Sequence, residues 1–188
     1  GSSNIAIGRN SLYVNTTGAQ NTSIGVESLD ANTTANDNTA VGFASLGATT
    51  TGHSNVAIGR DAMLSNLTGD GNVALGFKAL FTNNGSTPDF NTAIGRQALY
   101  SNTTGTVNTA VGLNTSYSNT TGTCNVAIGR NALYTTTTGA KNVAIGAAAL
   151  YTASTASDNT AVGDQALYAT TTGAYNTSIG SSSGKAVT

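Results

Sequence analysis

The sequence predicts an all-β protein, a parallel β-solenoid or β-roll of about eleven coils with 17 residues in each. Three observations carry that prediction. Asn recurs at positions 4, 21, 38, 55, 72, 91, 108, 125, 142, 159 and 176, at a spacing of 17 with a single step of 19. Gly stands four residues after every one of these, from Gly8 to Gly180. The unit, N-[TVI]-[AS]-[IVL]-G-x-x-[AS]-L-Y-x-N-T-T-G-x-x, is shorter than the roughly 33 residues of a helical repeat but long enough for one solenoid coil. Coils are numbered below from these Asn residues, each Asn being position 1 of its coil.

The three residues after each Asn alternate as a strand does. Position 4 is always aliphatic (Ile7, Ile24, Val41, Ile58, Leu75, Ile94, Val111, Ile128, Ile145, Val162, Ile179), which predicts an inward column. Position 3 is Ala or Ser from Ala6 to Ser178 and is expected on the opposite side, where so narrow a choice of side chain signals a close approach of two sheets or two subunits. Gly at the strand's end permits positive φ and a corner. A second apolar column follows at position 9, with Leu12, Leu29, Leu46, Met63, Leu80, Leu99, Leu133, Leu150 and Leu167, broken only by Ser116.

The N-T-T-G stretch then returns the chain. Stacked coils lie about 4.8 Å apart, which makes a rod roughly 50 Å long. At that spacing Asn and Thr columns form hydrogen-bonded ladders. The opening Asn recurs in every coil while its preceding neighbour varies freely, which predicts a buried Asn bonded to backbone or to the next Asn. Thr four residues ahead of the next Asn (17, 34, 51, 68, 87, 104, 121, 138, 155 and 172) belongs to the same turn. The two extra residues between Asn83 and Pro88 predict a bulging corner, the place where a residue without N–H is tolerated. Residues 1–188 read as a single repeat array, a segment of a longer fibre.

Composition narrows the function. Charged residues make up 8% of the chain, against roughly 25% in an ordinary soluble protein. With a net charge of -1 and no basic cluster, nothing supports nucleic-acid binding. No apolar run reaches the roughly 18 residues of a membrane span, so no membrane insertion is expected. Cys124 is the only cysteine and leaves no disulfide within the chain. Low charge with abundant Thr and Asn suits an extracellular, cell-surface or virion-surface protein.

No catalytic, cofactor-binding or metal-ligating set is assigned, and the chain is not expected to be an enzyme. The eight acids share no register, as a carbohydrate-cleaving β-helix would require. His53, the only histidine, sits in a variable corner without partners for acid–base work. Asp37 and Asp158 share a register that could approach calcium, but the G-G-x-G-x-D repeat of calcium-binding rolls is absent. Cys124 occupies the same variable position and reads as a solvent-facing thiol. Arg9, Arg60, Arg96 and Arg130 follow the corner Gly and read as a solvated column or as partners of acids such as Asp61. The candidate interaction surface is an aromatic column of Tyr13, Tyr100, Tyr117, Tyr134, Tyr151 and Tyr168, joined by Phe81, which could bind sugars or line an interface. Nine N-x-[ST] sequons occur, at Asn15, Asn21, Asn32, Asn66, Asn84, Asn102, Asn114, Asn119 and Asn176, with the N-T-T corners as the exposed candidates.

The strand motif Asn55-Val56-Ala57-Ile58-Gly59-Arg60-Asp61-Ala62 resembles the head repeats of trimeric autotransporter adhesins of the YadA type, with their V-A-I-G-x-x-[SA] core. It recurs over Ile5–Ser11, Val126–Ala132 and Val143–Ala149. Similar N-T-A-[VI]-G repeats look like those of phage tail-fibre shafts. The resemblance implies a left-handed roll, three chains around an axis and a role in attachment. The expected function is therefore that of a structural and interaction protein, a fibre or adhesin-like rod. Its partners would be copies of itself, as a trimer or stacked end to end, together with glycans or a host surface. The alternative is an ice- or crystal-binding solenoid.

Overall fold

The computed structural model describes residues 1–84 and 89–186 and places a three-residue strand after every opening Asn. These are β1 (Ile5–Ile7), β2 (Thr22–Ile24), β3 (Thr39–Val41), β4 (Val56–Ile58), β5 (Val73–Leu75), β6 (Thr92–Ile94), β7 (Thr109–Val111), β8 (Val126–Ile128), β9 (Val143–Ile145), β10 (Thr160–Val162) and β11 (Thr177–Ile179). They form one parallel sheet of 11 strands in sequence order. Each strand pairs with the next residue for residue, as in Ala57↔Ala74, so one sequence repeat equals one turn of the solenoid. No helix occurs among the described residues. The corner loop expected around Pro88 falls at residues 85–88, outside the described residues.

The remainder of each coil consists of turns, yet its backbone still bonds along the stack. The N–H of Leu29 donates to Ser45 O, that of Leu46 to Ala62 O and that of Leu133 to Ala149 O, each at 3.0 Å. Gly after the strand is required twice over. At Gly25 φ is +143°, and a Cβ there would meet the carbonyl oxygen of Gly42 in the next coil at 2.2 Å. The coil also turns by placing non-glycine residues in left-handed conformation, the core leucines among them, with φ of 47° at Leu29 and 50° at Leu99. Each such residue costs about 1–2 kcal/mol, a strain that burial of the leucines offsets.

The expected orientation of the strand is reversed. Ala40, Ala57, Ala74, Ala93, Ala110, Ala127, Ala144 and Ala161 are fully buried, whereas Ile58, Leu75 and Ile128 are 38%, 43% and 39% exposed. The Ala/Ser column therefore faces the inside of the coil, and the aliphatic column faces out. Volume explains it. Inside a coil of 17 residues, the leucine of the opposite wall and two Asn side chains already fill the interior, leaving room for little more than a methyl group. The close approach signalled by the small residues is between the two walls of one coil, not between subunits.

The leucine column is buried as expected, with Leu29, Leu46, Met63, Leu80, Leu99, Leu133 and Leu150 all at 0% exposure. Strand-borne methyl groups one coil apart stand at the strand spacing of about 4.8 Å, beyond close contact, so the longer leucines make the core continuous. Where Ser116 replaces Leu, the buried apolar side chains separate into two clusters, one from Leu29 to Ala110 and one from Ala127 to Leu167.

The opening Asn residues form an unbroken ladder, and nine of them, Asn21 to Asn159, are 0–2% exposed. Each Oδ1 accepts the backbone N–H of the next coil's Asn, as from Asn125 to Asn108 at 3.0 Å and from Asn142 to Asn125 at 2.9 Å. In coils 1 to 4 and 6 to 10 each Nδ2 donates to the carbonyl at position 15 of its own coil, as from Asn108 to Gly122 at 2.8 Å. One side chain thus closes its own corner and holds the next coil in register, which requires a group that both donates and accepts. Asn at position 12 adds a second ladder, with Nδ2 of Asn102 bonded to Oδ1 of Asn83 at 3.1 Å and Nδ2 of Asn119 to Oδ1 of Asn102 at 2.8 Å. The Thr ladder runs one position before the recurrent Thr, from Thr103 Oγ1 to Thr120 O at 2.9 Å and from Thr120 Oγ1 to Thr137 O at 3.0 Å. The recurrent Thr34, Thr104 and Thr121 are exposed.

Candidate functional site

A repeat of one coil brings equivalent residues directly above one another, so the aromatic column becomes a stack. Phe81, Tyr100, Tyr117, Tyr134, Tyr151 and Tyr168 follow one another with ring centroids 5.0–5.4 Å apart and interplanar angles of 3–15°. An ammonium group covers each end, with Lys78 Nζ 5.0 Å from the Phe81 ring and Lys185 Nζ 5.7 Å from that of Tyr168. Tyr13 stands apart, because coils 2 to 4 carry Asp30, Gly47 and Leu64 at this position. The stack consumes the ring faces. What the column presents is ring edges and phenol groups, so the face-on sugar contact open to isolated rings is closed to the inner members. Burial, with Tyr100 and Tyr134 on either side, holds the Tyr117 phenol above its ordinary value of 10.0.

The larger exposed feature is the outward face of the sheet. Position 2 holds Ile5, then alternating pairs: Thr22 and Thr39, Val56 and Val73, Thr92 and Thr109, Val126 and Val143, Thr160 and Thr177. Position 4 is the aliphatic column. Neither carries a charge in any of the 11 strands, and every residue but Leu75 is β-branched. The result is a two-column uncharged strip along the whole sheet, aliphatic at position 4 and mixed Thr and aliphatic at position 2, which the reversed orientation had hidden from the sequence.

The other candidates are dispersed. Asp37 and Asp158 stand seven coils apart, about 34 Å, and cannot share an ion. No group of three or more His, Cys, Asp or Glu side chains able to hold a metal ion occurs among the described residues. His53 serves a corner: its Nδ1 accepts the backbone N–H of Asn36 at 2.9 Å. Cys124 is exposed and free. Arg9 pairs with Glu27 at 3.2 Å and Arg60 with Asp61 at 3.4 Å, both within the chain. The sequon expectation is corrected, because Asn32, Asn102 and Asn119 of the N-T-T corners are 0–1% exposed and their amides point into the second ladder. Asn21 and Asn66 are buried as well.

Asp89 was not singled out by its sequence position, yet it repairs the ladder in the longer coil. In coil 4 Asn55 Nδ2 donates to Gly69 O at 2.8 Å, and in coil 6 Asn91 Nδ2 donates to Gly105 O at 2.8 Å. In coil 5 Asn72 Nδ2 reaches Asp89 Oδ2 at 3.3 Å, and Asn83 Nδ2 reaches the same oxygen at 2.9 Å. A buried carboxylate oxygen takes over the role of the corner carbonyl. Burial pushes its carboxyl above the ordinary 3.8, against the lowering effect of the two Asn bonds and with the added effect of Asp70.

Comparison with known proteins supplies no relative: no family model, no curated protein and no solved structure matches the chain.

Proposed function

We propose that this chain is a structural and interaction protein, part of an extracellular fibre or adhesin-like rod on a cell or virion surface. In this reading copies assemble three around a common axis through the outward face of the sheet. The observation that carries it is the uncharged strip of positions 2 and 4, half-buried to exposed along all 11 strands. Monomeric soluble proteins rarely leave an apolar patch of that extent uncovered, and a second copy offers a matching strip. The expectation that the Ala/Ser column or the Tyr column lies near the contact gives way here to the Ile/Val column. The corners and the phenol row stay free for glycans or a host surface.

Sedimentation of the native chain beside Ile58→Asp and Ile128→Asp tests the proposal. The native chain should sediment as a trimer, while the variants become monomers with an unchanged circular dichroism spectrum. A native monomer at micromolar concentration overturns it. One observation favours a second reading, an ice- or crystal-binding face: Thr22, Thr39, Thr92, Thr109, Thr160 and Thr177 share one outward column. Thermal hysteresis of the native chain, abolished by Thr92→Lys, would select that reading.

A further inference from the structure

The corner after each strand carries a pattern that neither the sheet face nor the phenol row uses. Position 6 reads Phe43, Arg60, Phe77, Arg96, Leu113 and Arg130 through coils 3 to 8, an arginine in every second coil with an apolar side chain between. Backbone bonds keep this corner in step. The N–H of Lys78 donates to Arg60 O at 3.0 Å, that of Gln97 to Phe77 O at 2.9 Å and that of Asn114 to Arg96 O at 2.9 Å. Successive arginines therefore stand roughly 10 Å apart along the rod, twice the strand spacing. The guanidinium of Arg60 lies 5.5 Å from the Phe43 ring and that of Arg96 5.7 Å from the Phe77 ring. All three arginines are exposed, as are Phe43, Phe77 and Leu113. Positions 6 and 7 of these coils hold four cations, Arg60, Lys78, Arg96 and Arg130, against the single acid Asp61. Lys78 is turned toward the aromatic stack, 5.5 Å from Phe77 and 5.0 Å from Phe81, and Arg60 is shared with Asp61 at 3.4 Å, which leaves Arg96 and Arg130 without an acid partner among the described residues.

We infer that this corner binds a linear acidic polysaccharide with one carboxylate in each disaccharide. Two pyranose rings in an extended chain span roughly the same 10 Å as two coils. Carboxylates of alternate sugars then meet successive guanidinium groups, which match their planar geometry. The sugar between Arg96 and Arg130 lies over exposed Leu113, where its C–H face replaces water on apolar surface. Nucleic acid fits less well, since phosphates recur about every 3.4 Å of rise along a DNA strand and most would face the apolar positions. The inference deepens the attachment reading above and rests on it for its setting.

The test uses a hyaluronan oligosaccharide, the same oligosaccharide with esterified carboxylates, and an oligothymidylate, each titrated calorimetrically into the native chain and two variants. Arg60→Gln/Arg96→Gln/Arg130→Gln removes the charges. Arg96→Leu/Leu113→Arg keeps the charge and destroys the spacing. Hyaluronan should bind the native chain, weaken with salt, and lose roughly tenfold or more in affinity in both variants, with little binding of the esterified form. Equal binding by the spacing variant, tighter binding of oligothymidylate, or no binding of hyaluronan overturns the inference. Circular dichroism confirms that the variants fold. Sedimentation of the same samples reports self-association separately, so a monomer that binds hyaluronan keeps this inference and removes the trimer, and a trimer that ignores hyaluronan does the reverse.

Discussion

Coils 2 to 6 and coils 8 to 10 are built from one unit, yet their cores are separate clusters that meet at coil 7. The apolar core and the second Asn ladder are interrupted together there. Ser116 stands in the leucine column, and Thr115 replaces the Ala or Ser of position 8. The ladder at position 12 stops because Thr136 follows Asn119, leaving Asn119 Oδ1 and Thr136 Oγ1 buried without partners among the described residues. Asn114 Oδ1 and Asn131 Oδ1, in the same two coils, are likewise unpaired. Even the rings register it, since Tyr117 and Tyr134 form the widest and most tilted pair, at 5.4 Å and 15°. The opening Asn ladder, the Thr ladder and the strand pairing cross unchanged. A solenoid's cooperativity is therefore local, set by what passes from one coil to the next.

The two blocks should separate most clearly when one of them alone is unfolded. Ala57→Asp and Ala144→Asp each place an unpaired carboxylate in a fully buried site, at a cost of several kcal/mol. Calorimetry and limited proteolysis should show each variant losing its own block while the other stays folded. Loss of the whole rod in both would mean that coil 7 couples the blocks fully. Ser116→Leu is the converse, filling the gap between Leu99 and Leu133 with a side chain worth about 1.5–3 kcal/mol when buried. It should merge two thermal transitions into one. Thr136→Asn is smaller, returning a donor to Asn119 Oδ1 for about 1 kcal/mol, read as a shift of the denaturant midpoint at constant slope.

The period, the coil count, the leucine core and the buried Asn were legible because each is a position that hardly varies. The face of the strand was not. A three-residue strand with Ala between two larger aliphatics is apolar on both sides, and ranking side chains by hydrophobicity puts Ile58 inside. Volume decides otherwise, and the relevant signal was the narrow choice at position 3. A site that rejects everything larger than Ser is one with no room, whatever it faces. The aromatic column was legible as a column, but its consumed ring faces follow from the rise per coil. The buried sequons follow from the second ladder, which needs the Asn amide that glycosylation would occupy.

The smallest expected effect depends on pH and lies within the first block. The folded Asp89 carboxyl sits above its ordinary 3.8, so its favourable protonated contribution is fully present below about that pH and is lost as pH rises through the folded value. Asp89→Asn keeps an acceptor for Asn72 and Asn83 without the charge. It should stabilise the rod slightly at neutral pH, and the gain over the native chain should shrink in acid. A gain that grows on acidification would show that the carboxylate is favoured in the folded state.

Asp89 also bears on how such arrays acquire variety. A coil two residues longer than its neighbours keeps the ladder because a side chain supplies the acceptor that the backbone supplies elsewhere. Coil length is thereby released from hydrogen-bond geometry at that corner. Any other corner given an Asp two residues ahead of its Asn becomes a point where new sequence can be spliced in. A rod built on a strict period can in this way lengthen one turn and keep all the others.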